Sequence, residues 1–260
     1  MTSRIPISRL SVNGVTLSVR DEGAGPAILF AHGFPLDHSM WNSQVDDLSM
    51  DYRTIAPDLR GFGGSDVTPG TVTMEQFADD LAMLLDKLGV TDPVVFCGLS
   101  MGGYIAWQFF RRHRERVRAL ILCNTRAVAD PPEGVANREK LARLVLEAGT
   151  EPVATAMLPN LFSAATAQLN AATVDATRRV VLKTDPRGIA AASLGMAARP
   201  DVSADLASIE VPALLIVGED DKISPVDEMR GIAESMPQAR LVVIPNAGHL
   251  APLENPGPVN

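Results

Sequence analysis

Two cysteines in 260 residues give no sign of a disulfide framework or of an oxidising compartment. Cys97 and Cys123 each end an apolar, strand-like run, which predicts small buried thiols, close together if the two strands are neighbours. Positive charge is also scarce. Lys and Arg number 23 against 31 Asp and Glu, a formal net charge of -8, so no basic stripe exists to neutralise phosphates and nucleic acid is excluded as a partner. The densest basic run, Arg111 to Arg118, is interrupted by Glu115 and ends a predicted helix, where it complements the negative helix C-terminus. No apolar run is long enough to span a membrane, and MTSRIPISRL lacks the apolar h-region of a secretory leader. A cytoplasmic protein without membrane partners is expected. Internal repeats and low-complexity segments are missing too.

What is present is an ordinary soluble composition, 46% hydrophobic and 21% charged, enough for a large core without disulfides or a structural metal. The length fits a single α/β domain carrying an insertion. ISRLSVNGVTLSVRDEG shows two alternating runs around Asn13-Gly14, a hairpin signal. Short apolar runs then alternate with helical patterns: AILFAH, YRTIAPDL, PVVFC, RALILCN, PALLIVGE and ARLVVIP as strands, with helices between them. Continuous apolar strands separated by helices predict a parallel sheet covered on both faces. Between Asn124 and Pro212 the strand signal stops, and NREKLARLVLEAG, ATAQLNAATVDATRRVVLKT and GIAAASLGMAA read as helices broken by prolines. The expected division is a core of residues 1–127 and 206–260 with a helical cap at 128–205. After the last strand little remains, so a final covering helix is missing or very short.

The chemistry centres on GLSMG, residues 98 to 102, which fits G-x-S-x-G between a strand and a helix. A sharp turn there exposes the Ser100 hydroxyl and frees the next amide at a helix N-terminus, and small flanking residues let strand and helix approach. A serine hydroxyl needs a base. Of the four histidines, His113 lies in a charged helix end and reads as solvated, while His32 and His38 flank the first strand-to-helix connection. His249, in a loop beyond the last strand, sits where an open α/β sheet places ligand-facing residues, and is the candidate base. Its orienting carboxylate comes from Glu219, Asp220 or Asp221, in VGEDDKISP at the end of the preceding strand. The serine–acid–histidine order is that of α/β-hydrolases. GFGGSD lacks the lysine and context of a phosphate loop, and reads as a turn in which Asp58 and Arg60 are structural. The histidines show no metal-ligand spacing, so neither metal nor cofactor is expected.

Five segments in order resemble the α/β-hydrolase superfamily: FAHGFPLDHSMW its oxyanion segment, DLRGFGGSD its D-x-R-G-x-G-x-S loop, GLSMGGYIAW its elbow, VGEDDKISP its acid loop and AGHLAPLENP its histidine loop. The resemblance implies an α/β fold with a mostly parallel, doubly wound, eight-stranded sheet and a helical cap. It implies Asp221 as the acid of a Ser100–Asp221–His249 triad, and the backbone amides of Phe34 and Met101 as the oxyanion hole. His32 then ties loops together. Serine at the elbow departs from the aspartate of related dehalogenases and epoxide hydrolases, and the elbow region with LKTDPRGIAAA resembles the 3-oxoadipate enol-lactonase branch. The function implied is a serine hydrolase, a carboxylesterase or lactonase acting on a small ester or lactone. Alternatives on the same triad are a cofactor-free haloperoxidase-like perhydrolase, a C–C bond hydrolase, or a slow-turnover ligand-binding protein. Trp41, Arg126, Met157, Leu158 and Phe162 are candidate substrate contacts, with Arg126 a candidate partner for a substrate carboxylate. A homo-oligomer is compatible with all of this.

Overall fold

A computed structural model describes residues 7–260; the segment 1–6, on which part of the reading of a missing leader rests, lies outside the described residues. The described residues form eight strands: β1 (Ile7–Val12), β2 (Val15–Glu22), β3 (Ala27–Ala31), β4 (Arg53–Pro57), β5 (Val94–Leu99), β6 (Val117–Cys123), β7 (Ala213–Gly218) and β8 (Ala239–Ile244). They make one sheet in the order β1-β2-β4-β3-β5-β6-β7-β8. β1 pairs antiparallel with β2, and β2 with β4. From β4 onward every pairing is parallel. The β1–β2 hairpin turns at Asn13 and Gly14 with φ of 46° and 76°, the left-handed pair that a tight two-residue hairpin requires.

Helices fill the connections: α1 (Asn42–Leu48) after a short 3-10 turn at His38–Trp41, α2 (Met74–Lys87), and α3 (Met101–Arg112). The long connection from β6 to β7 holds α4 (Pro132–Ala148), α5 (Glu151–Leu161), α6 (Ala164–Leu169), α7 (Ala171–Lys183) and α8 (Pro186–Ala197). After β7 come α9 (Val226–Ser235), then α10 (Ala251–Glu254) and α11 (Pro256–Val259) beyond β8. These last two helices are four residues each. Two details of the cap differ from the sequence pattern. The run ATAQLNAATVDATRRVVLKT is two helices, because the Asn170 side chain caps α7 by accepting from Thr173 N–H. α5 was not foreseen; its Pro159 falls inside the helix rather than ending it.

The cap sits directly on the core. α8 is rich in Gly and Ala because its backbone approaches two core loops. A Cβ on Gly188 would lie 1.9 Å from the Gly61 carbonyl oxygen, and one on Gly195 would lie 1.8 Å from that of Val72. Where the chain enters and leaves the insertion, buried Arg199 reaches Asp130 and the Val128 carbonyl, and Val202 N–H donates to Ala127 O. Cys97 and Cys123 are buried free thiols on the adjacent strands β5 and β6. Among the described residues no helix is long and apolar enough to cross a membrane.

Candidate active site

The C-terminal ends of β3, β5, β6, β7 and β8 gather the loops that carry the candidate residues. Ser100 is the single residue between β5 and α3, with φ 54° and ψ -110°. Such backbone strain in a non-glycine residue costs about 1–3 kcal/mol and persists only where its surroundings over-determine it. Here they do. Ser100 N–H donates to Cys123 O at 2.9 Å, and its carbonyl accepts from Gly103 N–H, Tyr104 N–H and the Thr125 hydroxyl. The flanking glycines are demanded by crowding. A Cβ on Gly98 would lie 2.3 Å from the Gly102 carbonyl oxygen, and one on Gly102 would lie 2.1 Å from that of Ala31.

The loop after β3 runs against this turn: a Cβ on Gly33 would lie 3.7 Å from Ser100 Cβ. Among the described residues neither Phe34 N–H nor Met101 N–H has an acceptor, which leaves two amides beside the serine. The loop is braced by two histidines. His32 is fully buried; its Nε2 accepts from Leu59 N–H at 3.0 Å, which puts its proton on Nδ1, facing Gly33 O. Burial holds the His32 pKa below its ordinary value despite the nearby carbonyl. His38 behaves in the opposite sense. Burial alone would lower its pKa, but the Nδ1–Asp58 hydrogen bond of 2.6 Å and the Asp58 charge outweigh it and raise it. Asp58 also accepts from the backbone N–H groups of His38 and Gly64, and its pKa falls although burial opposes this. Asp37, His38 and Asp58 form a cluster whose ligand atoms lie within 4.8 Å of one another. His38 and Asp58 already satisfy each other.

Of the three acids after β7, Asp221 is the one that reaches His249. Its carboxylate oxygens lie 3.1 and 3.0 Å from His249 Nδ1. Oδ1 also accepts from Ile223 N–H and Ser224 N–H, and Oδ2 from the Asn124 amide at 2.8 Å. Burial disfavours the Asp221 anion, but His249, Asn124 and Ser224 together hold its pKa below the usual carboxylate range. Glu219 and Asp220 are exposed. With Nδ1 turned to Asp221, the ring presents Nε2 elsewhere, and Nε2 has no partner among the described residues. His249 and Asp221 are buried, while Ser100 is partly open. No hydrogen bond joins the Ser100 hydroxyl to the ring among the described residues; such contacts often tighten only with substrate bound.

The cap closes over the histidine loop through a segment at the end of α5. Leu250 N–H donates to Leu161 O, and the Ser163 hydroxyl to Asn246 O. Glu254 links both sides. Oε1 accepts from Gly248 N–H at 2.8 Å and Leu250 N–H at 3.2 Å, the residues flanking His249, while Oε2 accepts from Ser163 N–H at 2.8 Å.

Phe162 is packed where the cap meets Gly248, and Met157 and Leu158 lie partly buried on the same helix end. Two of the candidate substrate residues are engaged within the protein. Trp41 is 1% exposed and packs on Phe30 at 5.1 Å between ring centroids, a core position below the loop. Arg126 is held by Glu228 of α9 at 2.7 Å, so its charge is already answered within the protein. His113, expected to be solvated, bonds Asp79 at 2.9 Å. Arg60 forms a buried pair with Asp80, as a structural turn residue should. The residues that sequence reasoning missed are Asn124 and Glu254. For Asn124 a signal existed, since asparagine tolerates the positive φ it adopts after a buried strand. For Glu254 none did.

Comparison with known proteins agrees with the fold. The family described as alpha/beta hydrolase fold matches residues 26–256. A thermophilic esterase from Thermogutta terrifontis, solved with malate bound, superposes with a TM-score of 0.95 at 44% identity, covering 98% of this chain and 95% of that one. The enol-lactonase from Burkholderia xenovorans LB400 gives 0.90 at 32% identity, covering 97% and 96%. 3-Oxoadipate enol-lactonase 1 of Acinetobacter baylyi is 31% identical over 94% of this chain and 90% of its own. The match to epoxide hydrolase 2 of Siraitia grosvenorii is 43% identical but segmental, spanning 45% of this chain and 38% of that protein.

Proposed function

Since the chain belongs to the alpha/beta hydrolase fold family, we propose that it is a serine hydrolase that cleaves a small carboxylic ester or lactone through an acyl-enzyme on Ser100. The observation that carries the reading is the strained turn at Ser100, set beside two acceptor-free amides, with the His249–Asp221 pair on the neighbouring loops. In this mechanism His249 Nε2 takes the hydroxyl proton as Ser100 Oγ attacks the carbonyl carbon. The imidazolium is steadied through Nδ1–H by Asp221, which remains ionised. Phe34 N–H and Met101 N–H bind the oxyanion; each such donor is worth about 2.7–4 kcal/mol in the transition state. His249 returns the proton to the leaving alkoxide, breaking the C–O bond. It then deprotonates a water that attacks the acyl carbon, freeing the carboxylic acid and restoring Ser100.

Esters and lactones are favoured as substrates because the near-full-length relatives include an esterase and enol-lactonases. Serine at the elbow sets the chain apart from hydrolases that attack epoxides with an aspartate. Acid recognition by Arg126 is not carried forward, because Glu228 holds that guanidinium. Steady-state hydrolysis of p-nitrophenyl esters from acetate to octanoate, followed by a lactone panel, tests the proposal. Turnover that disappears with Ser100→Ala is expected, a loss on the order of 10³-fold or more. Equal turnover in wild type and Ser100→Ala contradicts it.

A further inference from the structure

We infer that Asn124 is a positioning residue for the Asp221–His249 pair, its side-chain amide fixing both the carboxylate and the backbone next to the imidazole. The inference rests on the proposed triad.

Asn124 is the first residue after β6, fully buried, in a left-handed conformation with φ 47°. Its backbone is held from two sides: the N–H donates to Ile216 O of β7 at 2.8 Å, and the carbonyl accepts from the Ser224 hydroxyl at 3.2 Å. From that fixed base Nδ2 donates to Asp221 Oδ2 at 2.8 Å and to Gly248 O at 3.2 Å. The amide cannot be turned over, because Oδ1 would then face a carboxylate oxygen and a carbonyl oxygen. Its own Oδ1 is left buried with no partner among the described residues. A buried acceptor without a donor destabilises a fold, so the residue answers a need other than packing.

That need is visible in how Asp221 is held. Oδ1 has the two backbone donors Ile223 N–H and Ser224 N–H. Oδ2, without Asn124, would keep only the imidazole, and the carboxylate could pivot about Oδ1 away from Nδ1. The second bond, to Gly248 O, ties the residue before His249 to the same amide. Acid and base are thus indexed to one side chain at the end of β6. The titratable groups facing this point are Asp221 from the loop after β7 and His249 from the loop after β8. Glu254, bonded to Gly248 N–H, is the next acid.

The test uses the full chain with p-nitrophenyl acetate and compares wild type, Asn124→Ala, Asn124→Asp and Ser100→Ala. The downfield proton resonance of His249 Nδ1–H gives a readout that needs no turnover. Asn124→Ala is expected to lower kcat by roughly 10–100-fold, the scale of a small misplacement, with KM within about twofold. Its Nδ1–H resonance should broaden or vanish. Asn124→Asp is nearly isosteric and sets a second carboxylate against Asp221. The pair shares a proton that stands in for the lost amide, since two adjoining carboxylates do not both ionise readily. Turnover is therefore retained where the pair holds its shared proton and the imidazole is neutral, and falls on an alkaline limb that the wild type lacks. Wild-type kcat, pH profile and Nδ1–H resonance in both variants, at wild-type urea midpoints, overturn the inference. If Ser100→Ala still turns over, the hydrolase reading fails by itself, and the resonance still decides the role of Asn124.

Discussion

Ser100 can hold its positive φ because Gly98 and Gly102, two positions away on either side, have no side chains to resist the close approach of strand and helix, and that constraint was legible in the sequence. G-x-S-x-G between a strand and a helix demands close approach on both sides, and the structure supplies the reason at each glycine. Gly102→Ala is the sharpest probe, since its Cβ would meet the Ala31 carbonyl oxygen at 2.1 Å, a backbone atom that cannot rotate away. Overpacking of this kind costs about 1–3 kcal/mol. We expect the urea midpoint to fall accordingly and hydrolysis to fall with it, because relief requires β3 and the elbow to separate. An unchanged midpoint in equilibrium unfolding would show that the turn is looser than described. Asn124 was less legible. Its tolerance of the left-handed conformation is a property of the residue type, but its two acceptors come from loops 97 and 124 positions away, and no local pattern encodes them.

The elements divide in the same way. Every strand read from an apolar run is present; β3 to β7 are largely buried parallel strands with an unmistakable composition, while β8 is an apolar but largely exposed edge strand. The cap was read as helical with breaks at its prolines, and the breaks at Pro132 and Pro186 are helix starts, but two boundaries were missed, because Asn170 acts as a cap through a side-chain bond and α5 accommodates Pro159. How the cap meets the histidine loop is tertiary information, concentrated in Glu254. Glu254→Ala removes acceptors from Gly248 N–H, Leu250 N–H and Ser163 N–H together. It should lower kcat by up to about a hundredfold through displacement of His249. Glu254→Gln is predicted to differ. One oxygen can still serve Gly248 and Leu250, while the amide NH₂ is set against Ser163 N–H, which loosens the cap alone. KM should rise with kcat largely kept, and steady-state kinetics on the two variants reads the difference. Equal kcat losses in both would mean that Glu254 does not separate the two roles.

At the scale of the whole molecule, a sheet of mostly parallel strands brings distant loops to one end, and its stability carries a pH signature from the two histidines that brace the loop after β3. His38 has a raised folded pKa, so its bond to Asp58 stabilises fully below the unfolded histidine value, about 6.5, and that contribution is lost as pH rises through the folded value. The depressed Asp58 pKa bounds the window from below, near the ordinary carboxylate value of about 3.9. His32, whose folded pKa is lowered, works the other way: its contribution is present above about 6.5 and is lost as pH falls below it. His38→Asn keeps a donor but no titratable charge. Its stability deficit against wild type should be greatest between about pH 4 and 6.5, on the scale of a charged hydrogen bond, roughly 1.5–3 kcal/mol, and shrink above. Thermal unfolding across pH reads this, and a pH-independent deficit would contradict it. The central claim is that Ser100 carries the acyl group, and intact-mass spectrometry of protein quenched during p-nitrophenyl acetate turnover tests it most directly. The account predicts an acetyl adduct on the peptide containing Ser100, absent in Ser100→Ala and lost on completion of turnover. Hydrolysis with the adduct on another residue, or an adduct and turnover that both persist in Ser100→Ala, would contradict it.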